Sequence, residues 1–477
     1  MNDPNLGADL SSYQKELDIR RCARTLSLRR VTRPTISGSL DISRNTFHRG
    51  QIHNIRSPQI AQLSVDNTIQ IFSSRNQDQI VSQCMQIQQV NIPRVLLNLS
   101  TSLDLVNAII NSLTEDYAEQ TKIYILIAIS ALFPHTESYQ DTYVDGIVCC
   151  LLEYMDSQSP PLILQTLETM SVMVEHSSYA RDSFISFGFV DYLIQIAQGA
   201  SVIELCRAAC KAIFSIFSNP EPIDIQIMQD NVPNLKDLLN LQDLDAMKYI
   251  INTFAELANK NPSIVYVFYD NGIYAQSMQI IRNPQLIPEM ILLIGNLALG
   301  KRQHIQYLLE NGLFQILMEL YENISIRPEI LWTISNLIES SAPLVLPLIT
   351  PQLVQDVLEN YFDGSFDLKK ESAYLISTLI IYLSSDNIQM FLIAQVAESL
   401  VEMCTCGQNL IVTRCTEALI RLITLIQSGI PGDEFMNSLV NTNISEIINE
   451  IIESNLNITK DKIALLQSMI ESFQTNN

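Results

Sequence analysis

With 477 residues, 47% of them hydrophobic, and only 14 glycines, the chain has ample apolar surface for a large core, which excludes a disordered or collagen-like polymer. The 51 acidic residues against 29 basic ones give a net charge of −22, and an acidic body of that kind repels nucleic acid. No apolar run approaches the ~18 residues that span a bilayer, and the polar start Met-Asn-Asp-Pro lacks the basic and apolar regions of a signal peptide. The expectation is a soluble intracellular protein with no membrane insertion.

The charge is unevenly spread. Residues 1–60 hold ten basic and five acidic residues, a balance of +5, so the remaining 19 basic and 46 acidic residues leave the body at −27. The basic residues cluster as Arg20, Arg21, Arg24, Arg29, Arg30 and Arg33. A helix is permitted up to Arg33, where Pro34 disfavours its continuation. Residues 35–66, rich in Ser, Asn, Arg and Gln, read as a linker. The expected organisation is therefore a basic arm and linker over 1–66, followed by one helical repeat domain over 67–475.

From residue 67 onward the apolar spacing is helical. Gly146, Gly188, Gly272 and Gly312 each precede an apolar stretch at intervals of 42, 84 and 40. The long interval leaves room for one unit with a turn at Asp230-Asn231-Val232-Pro233. Glycine permits the left-handed backbone that ends one helix before the next. Pro328 and Pro351 suit first helical turns, where a missing N–H costs little. A period of about 40 to 47 residues in an all-helical chain points to armadillo or HEAT units, and glycine turns favour armadillo. The expected fold is all-α, a right-handed α-solenoid of about nine or ten such repeats.

One row of side chains follows the same period. Glu329, Trp332 and Asn336 share a helix face, because positions three and four apart are neighbours. Glu289, Leu292 and Asn296 stand 40 residues earlier, and Glu371, Tyr374 and Thr378 stand 42 later. Extended in register, the asparagine positions are Val172, Ser215, Glu256, Asn296, Asn336, Thr378 and Arg421, and the tryptophan positions are Glu168, Lys211, Asn252, Leu292, Trp332, Tyr374 and Glu417. An asparagine amide both donates to and accepts from an extended backbone. An aromatic face flanks a lysine stem and attracts its charge by ~0.5–2 kcal/mol. Glutamates receive the charge. For any one position, a solvated glutamate, a self-bonded asparagine or a core tryptophan is the plainer explanation. The register of three glutamates around Trp332 favours a peptide groove.

Trp332-Thr-Ile-Ser-Asn336, Ile294-Gly295-Asn296-Leu297, Lys370-Glu371-Ser372-Ala373-Tyr374 and the C-terminal stretch ending Ile470-Glu471-Ser472-Phe473 resemble the importin-α family, the adaptors that carry nuclear-localisation-signal cargo. The resemblance implies a minor cargo site of Asn296, Glu329, Trp332, Asn336, Glu371 and Tyr374 on a concave groove, and the register of the glutamates adds Glu289. It also implies that the basic arm binds importin-β, while the charge asymmetry and the linker lead to the expectation that the arm docks on its own body in competition with cargo, with Arg29, Arg30 and Arg33 foremost and Arg44 secondary. The implied partners are basic cargo proteins, importin-β and the importin-α export factor, and the implied location is cytoplasm and nucleus. The chain departs from the family at the early rows, where Glu168/Val172 and Lys211/Ser215 stand in place of Trp/Asn pairs.

The alternative function is an armadillo scaffold that holds other proteins without import activity. Enzyme signatures are lacking: there is no phosphate-binding Gly-x-x-x-x-Gly-Lys-Ser/Thr, no His-Glu-x-x-His and no Gly-x-Ser-x-Gly. The pairs Cys206/Cys210 and Cys404/Cys406 have no companion Cys/His pairs for zinc. The nine cysteines are expected to be reduced core thiols, with no cofactor or metal.

Overall fold

The computed structural model describes residues 63–90, 99, 102–135, 141–442, 444–453 and 460–476. The basic residues Arg20 to Arg33, and Arg44, lie outside the described residues, as does Cys22. Among the described residues the regular elements are helices, recurring in twos or threes, and the last helix of each group is termed the third. In one repeat Ser178–Ser186 is followed by Phe189–Gly199 and Ile203–Ser218; in another Arg302–Glu310 is followed by Leu313–Leu320 and Arg327–Val345. Gly188, Gly272 and Gly312 join first to second helices with φ of +76°, +78° and +85°. A Cβ at these glycines would meet no neighbouring atom, so the left-handed backbone, rather than space, requires them.

The third helix of each repeat is the stacking element. In chain order these are Gln77–Gln89, Glu119–Leu132, Pro160–His176, Ile203–Ser218, Leu244–Lys260, Ile287–Leu297, Arg327–Val345, Phe366–Tyr382, Asn409–Gln427 and Lys460–Asn476. Among the described residues these ten helices mark ten repeats. The chain divides into two compact units between Leu257 and Ala258. Within the first unit the third helices from Gln77–Gln89 through Ile203–Ser218 pack in succession. Within the second, Ile287–Leu297, Arg327–Val345, Phe366–Tyr382, Asn409–Gln427 and Lys460–Asn476 do the same.

Helix ends follow the local chemistry. Ser64 caps the first described helix, Val65–Ser73, by accepting from the Asn67 N–H. Pro328 and Pro351 occupy first helical turns, as expected. Ser341, at φ −158° and ψ 71°, breaks the long segment Arg327–Val345. Pro343 follows it and lacks the N–H that would bond the Glu339 carbonyl, so the third helix stops there and the next repeat begins.

Two expected turns are absent. Gly146 lies inside the helix Asp141–Met155, where packing offsets its intrinsic cost of ~1 kcal/mol. The helix Ile225–Lys236 runs through Asp230-Asn231-Val232-Pro233. Asp224 caps its start, and burial of Met228, Val232 and Leu235 outweighs the bond that Pro233 cannot donate; the turn falls later, after the 3-10 segment Asp237–Asn240. Of the eight described cysteines, all free thiols, six are buried and Cys406 is half-buried, while Cys149 is exposed and is not a core residue.

Candidate functional site

The predicted row lies on three consecutive third helices of the second unit, Ile287–Leu297, Arg327–Val345 and Phe366–Tyr382, packed side by side. Ile287-Pro288-Glu289 and Arg327-Pro328-Glu329 open the first two of these helices in the same way. Proline fixes the first turn, and the glutamate after it sits where unsatisfied N–H groups and the helix dipole favour a negative charge. Glu289, Glu329 and Glu371 are all half-buried. Oε2 of Glu289 is enclosed and accepts no hydrogen bond.

Trp332 is also half-buried, and its indole lies directly on the preceding repeat. A Cβ added to Gly295 would come within 1.9 Å of the indole Cζ3, so only glycine admits the ring. The Asn336 Nδ2 donates to the Gly295 carbonyl at 2.7 Å, while its Oδ1 is buried without a partner. Trp332 and Asn336 thus grip one backbone unit of the neighbouring helix, and a hydrogen-bond acceptor remains to spare.

The same reach-back occurs elsewhere in the row. Arg421 donates from Nη2 to the Leu383 carbonyl at 2.5 Å and from Nη1 to the Ile381 carbonyl, covering the C-terminal carbonyls of the preceding third helix. In the first unit Ser215 donates to Glu175 at 2.9 Å. A spacing of about 40 residues therefore marks residues that bond between repeats. Glu168 is exposed, and Val172 and Lys211 are half-buried; Asn252 is buried, with neither amide atom bonded.

Tyr374, Asn296 and Asn336 differ from an open peptide ladder. Asn296 and Asn336 are fully buried and Tyr374 is 1% exposed. The Tyr374 hydroxyl donates to Glu339 Oε1 at 2.6 Å. Arg414, from the next repeat, places its guanidinium 5.4 Å from the Tyr374 ring centroid. Its Nη2 lies 2.6 Å from Glu339 Oε1, and its Nη1 lies 3.1 Å from Glu417 Oε2. Lys462 pairs with the other oxygen of Glu417. Burial opposes the Arg414 charge, but Glu339, Tyr374 and Glu417 outweigh it and raise the guanidinium's pKa well above its ordinary value. The expected aromatic shelf at Tyr374 is thus a buried hydroxyl and ring already facing a cation of the same chain, because a partly apolar helix placed Arg414 inward where only acids and an aromatic can accommodate it.

Gly295, Glu339 and Arg414 are participants that the row did not predict. Each nonetheless breaks a local pattern: a glycine in mid-helix signals a close approach, and Glu339 and Arg414 are charges among apolar positions.

No family model matches the chain, and no curated protein matches it. Among solved structures, an engineered protein from a structural-genomics programme is 13% identical with a TM-score of 0.61, over 85% of this chain and 98% of its own. A designed armadillo repeat protein is 17% identical with a TM-score of 0.41, over 49% of this chain and 99% of its own. The first likeness is one of fold across most of both chains. Together with the three-helix repeats over 178–218, 264–297 and 302–345, each with a left-handed glycine between its first and second helices, the architecture is an all-α solenoid of the armadillo type.

Proposed function

We propose that the chain is a nuclear import adaptor, binding extended basic peptides of cargo proteins along the third helices of its second unit. The observation that carries the reading is the station around Trp332: half-buried Glu289, Glu329 and Glu371 on adjacent helices beside a half-buried indole seated on Gly295. A carboxylate with an aromatic face suits a lysine or arginine side chain. The −27 body would draw a basic segment by long-range attraction.

In this reading the arm residues Arg20, Arg21, Arg24, Arg29, Arg30 and Arg33 recruit importin-β, and the chain shuttles between cytoplasm and nucleus with the importin-α export factor returning it. The same arm competes with cargo for the acidic body, at a tethered concentration in the ~mM range. The test uses the whole chain, the chain lacking residues 1–60, and a fluorescent basic peptide. Import adaptor activity requires importin-β to bind the whole chain and not the truncated one. Removing the arm is expected to tighten peptide binding, more at low salt than at high salt. If the peptide binds and importin-β does not, the protein is a peptide-binding scaffold, the reading that rests on the fold.

A further inference from the structure

The Tyr374 station contains chemistry that neither the row nor the proposed adaptor role explains. Glu339, Tyr374 and Glu417 come from three successive third helices, and the Arg414 guanidinium sits among them with the ring of Tyr374 at 5.4 Å and carboxylate oxygens at 2.6 and 3.1 Å. Its Nε and Nη2 also lie 3.3 and 3.2 Å from the Tyr374 hydroxyl. Arg414, Glu339 and Tyr374 are each nine-tenths or more buried.

A planar fork held between two carboxylates and the hydroxyl edge of a tyrosine has every face of its hydrogen-bonding geometry met, as a site for a guanidinium from outside would need. Here the guanidinium arrives from the same chain, 75 residues beyond Glu339. Simple cross-bracing of repeats needs no such arrangement, since apolar side chains of similar volume brace as well or better.

We propose that Glu339, Tyr374 and Glu417 form an arginine-recognition subsite that Arg414 occupies in cis. Its occupation ends the peptide-binding face at this repeat, and Arg414 is thereby a specificity-determining residue. Arginine side chains of a partner are accepted around Trp332 and refused beside Tyr374. The second part of this statement rests on the peptide-binding reading, while the first part stands without it.

The experiment is a vacancy test on the full chain. Arg414→Ala is titrated with methylguanidinium, against equal concentrations of sodium chloride and methylurea, with melting temperature and isothermal calorimetry as readouts. The expected result is saturable binding, with a rise of about 1–2 °C at ten times the Kd. The wild-type chain should show no such rise, and Glu339→Gln placed on Arg414→Ala should remove it. Arg414→Gln, which fills part of the space with a neutral hydrogen-bonding group, is titrated in the same way if the alanine variant does not fold. Absence of saturable methylguanidinium binding in the folded variant overturns the subsite.

A second arm compares two basic peptides that differ by one added arginine. Arg414→Ala should prefer the longer one by about tenfold, and the wild type should not distinguish them. Methylguanidinium binding without peptide binding by either chain supports the subsite and counts against the adaptor reading.

Discussion

Trp332 and Tyr374 occupy equivalent positions of consecutive third helices, yet they are held in opposite ways. At Trp332 the packing is neutral: an indole on a glycine, and an amide on its carbonyl. At Tyr374 it is ionic: a phenol, two carboxylates and a guanidinium, with Lys462 behind them. The Trp332 station keeps a half-buried ring, seated on Gly295 and held beside the Asn336 bond to the same residue. The ionic station has placed a cation inside itself and is stable only while that cation stays. Position in the repeat thus determines where a side chain points, and the neighbouring repeat determines what it meets there.

The comparison breaks most easily at the ionic end. Arg414→Ala leaves buried carboxylates without their guanidinium and should cost about 3–5 kcal/mol, read as a lowered denaturation midpoint. A loss below about 1 kcal/mol would show that water reaches the station and that the two sites are alike after all.

Gly295→Ala should come next. The new methyl has no room beside the indole, and displacing the ring should cost about 1–3 kcal/mol. Since Trp332 is the only tryptophan, its emission should shift with the substitution, and unchanged emission would show that the indole does not rest on Gly295.

Asn336→Ala removes the amide bond to the Gly295 carbonyl and should destabilise by about 1 kcal/mol, with basic-peptide binding weakened in addition. If peptide affinity is unchanged, the asparagine is only a clasp between repeats.

The smallest effect lies away from both stations. His304 is buried, its Nδ1 accepting from the Lys301 N–H at 3.1 Å, and burial first, then Lys301, lower its pKa from the usual 6.5. The unfolded chain therefore takes up the proton first as pH falls. Stability from this residue is complete above about pH 6.5 and declines below it toward the folded pKa, by no more than about 1.4 kcal/mol per pH unit. His304→Gln should flatten that slope in denaturation midpoints measured between pH 7 and pH 5.

Much of this architecture was legible in the residues. The 40-residue spacing of Glu289 and Glu329 and of Asn296 and Asn336 placed them on adjacent third helices, because a solenoid converts sequence period into lateral neighbourhood. Gly188, Gly272 and Gly312 were readable for the same reason. Gly146 and Pro233 misled, since the intrinsic cost of glycine or proline in a helix is small beside the burial of an apolar stripe. Burial of Asn336 and Tyr374 was not legible, because it depends on Gly295 and Arg414, whose partners lie 41 and 40 residues away. Period shows which residues are neighbours; it does not show which of two neighbours satisfies the other.

The most direct test of the account is a titration of the intact chain with a lysine- and arginine-rich peptide, followed by the emission of its single tryptophan. The account predicts a saturable change, weakened by salt, and at least tenfold weaker binding when Glu329→Gln and Glu371→Gln are combined. Binding that leaves Trp332 emission unchanged and survives Trp332→Ala at full affinity would place the peptide elsewhere and contradict the assignment.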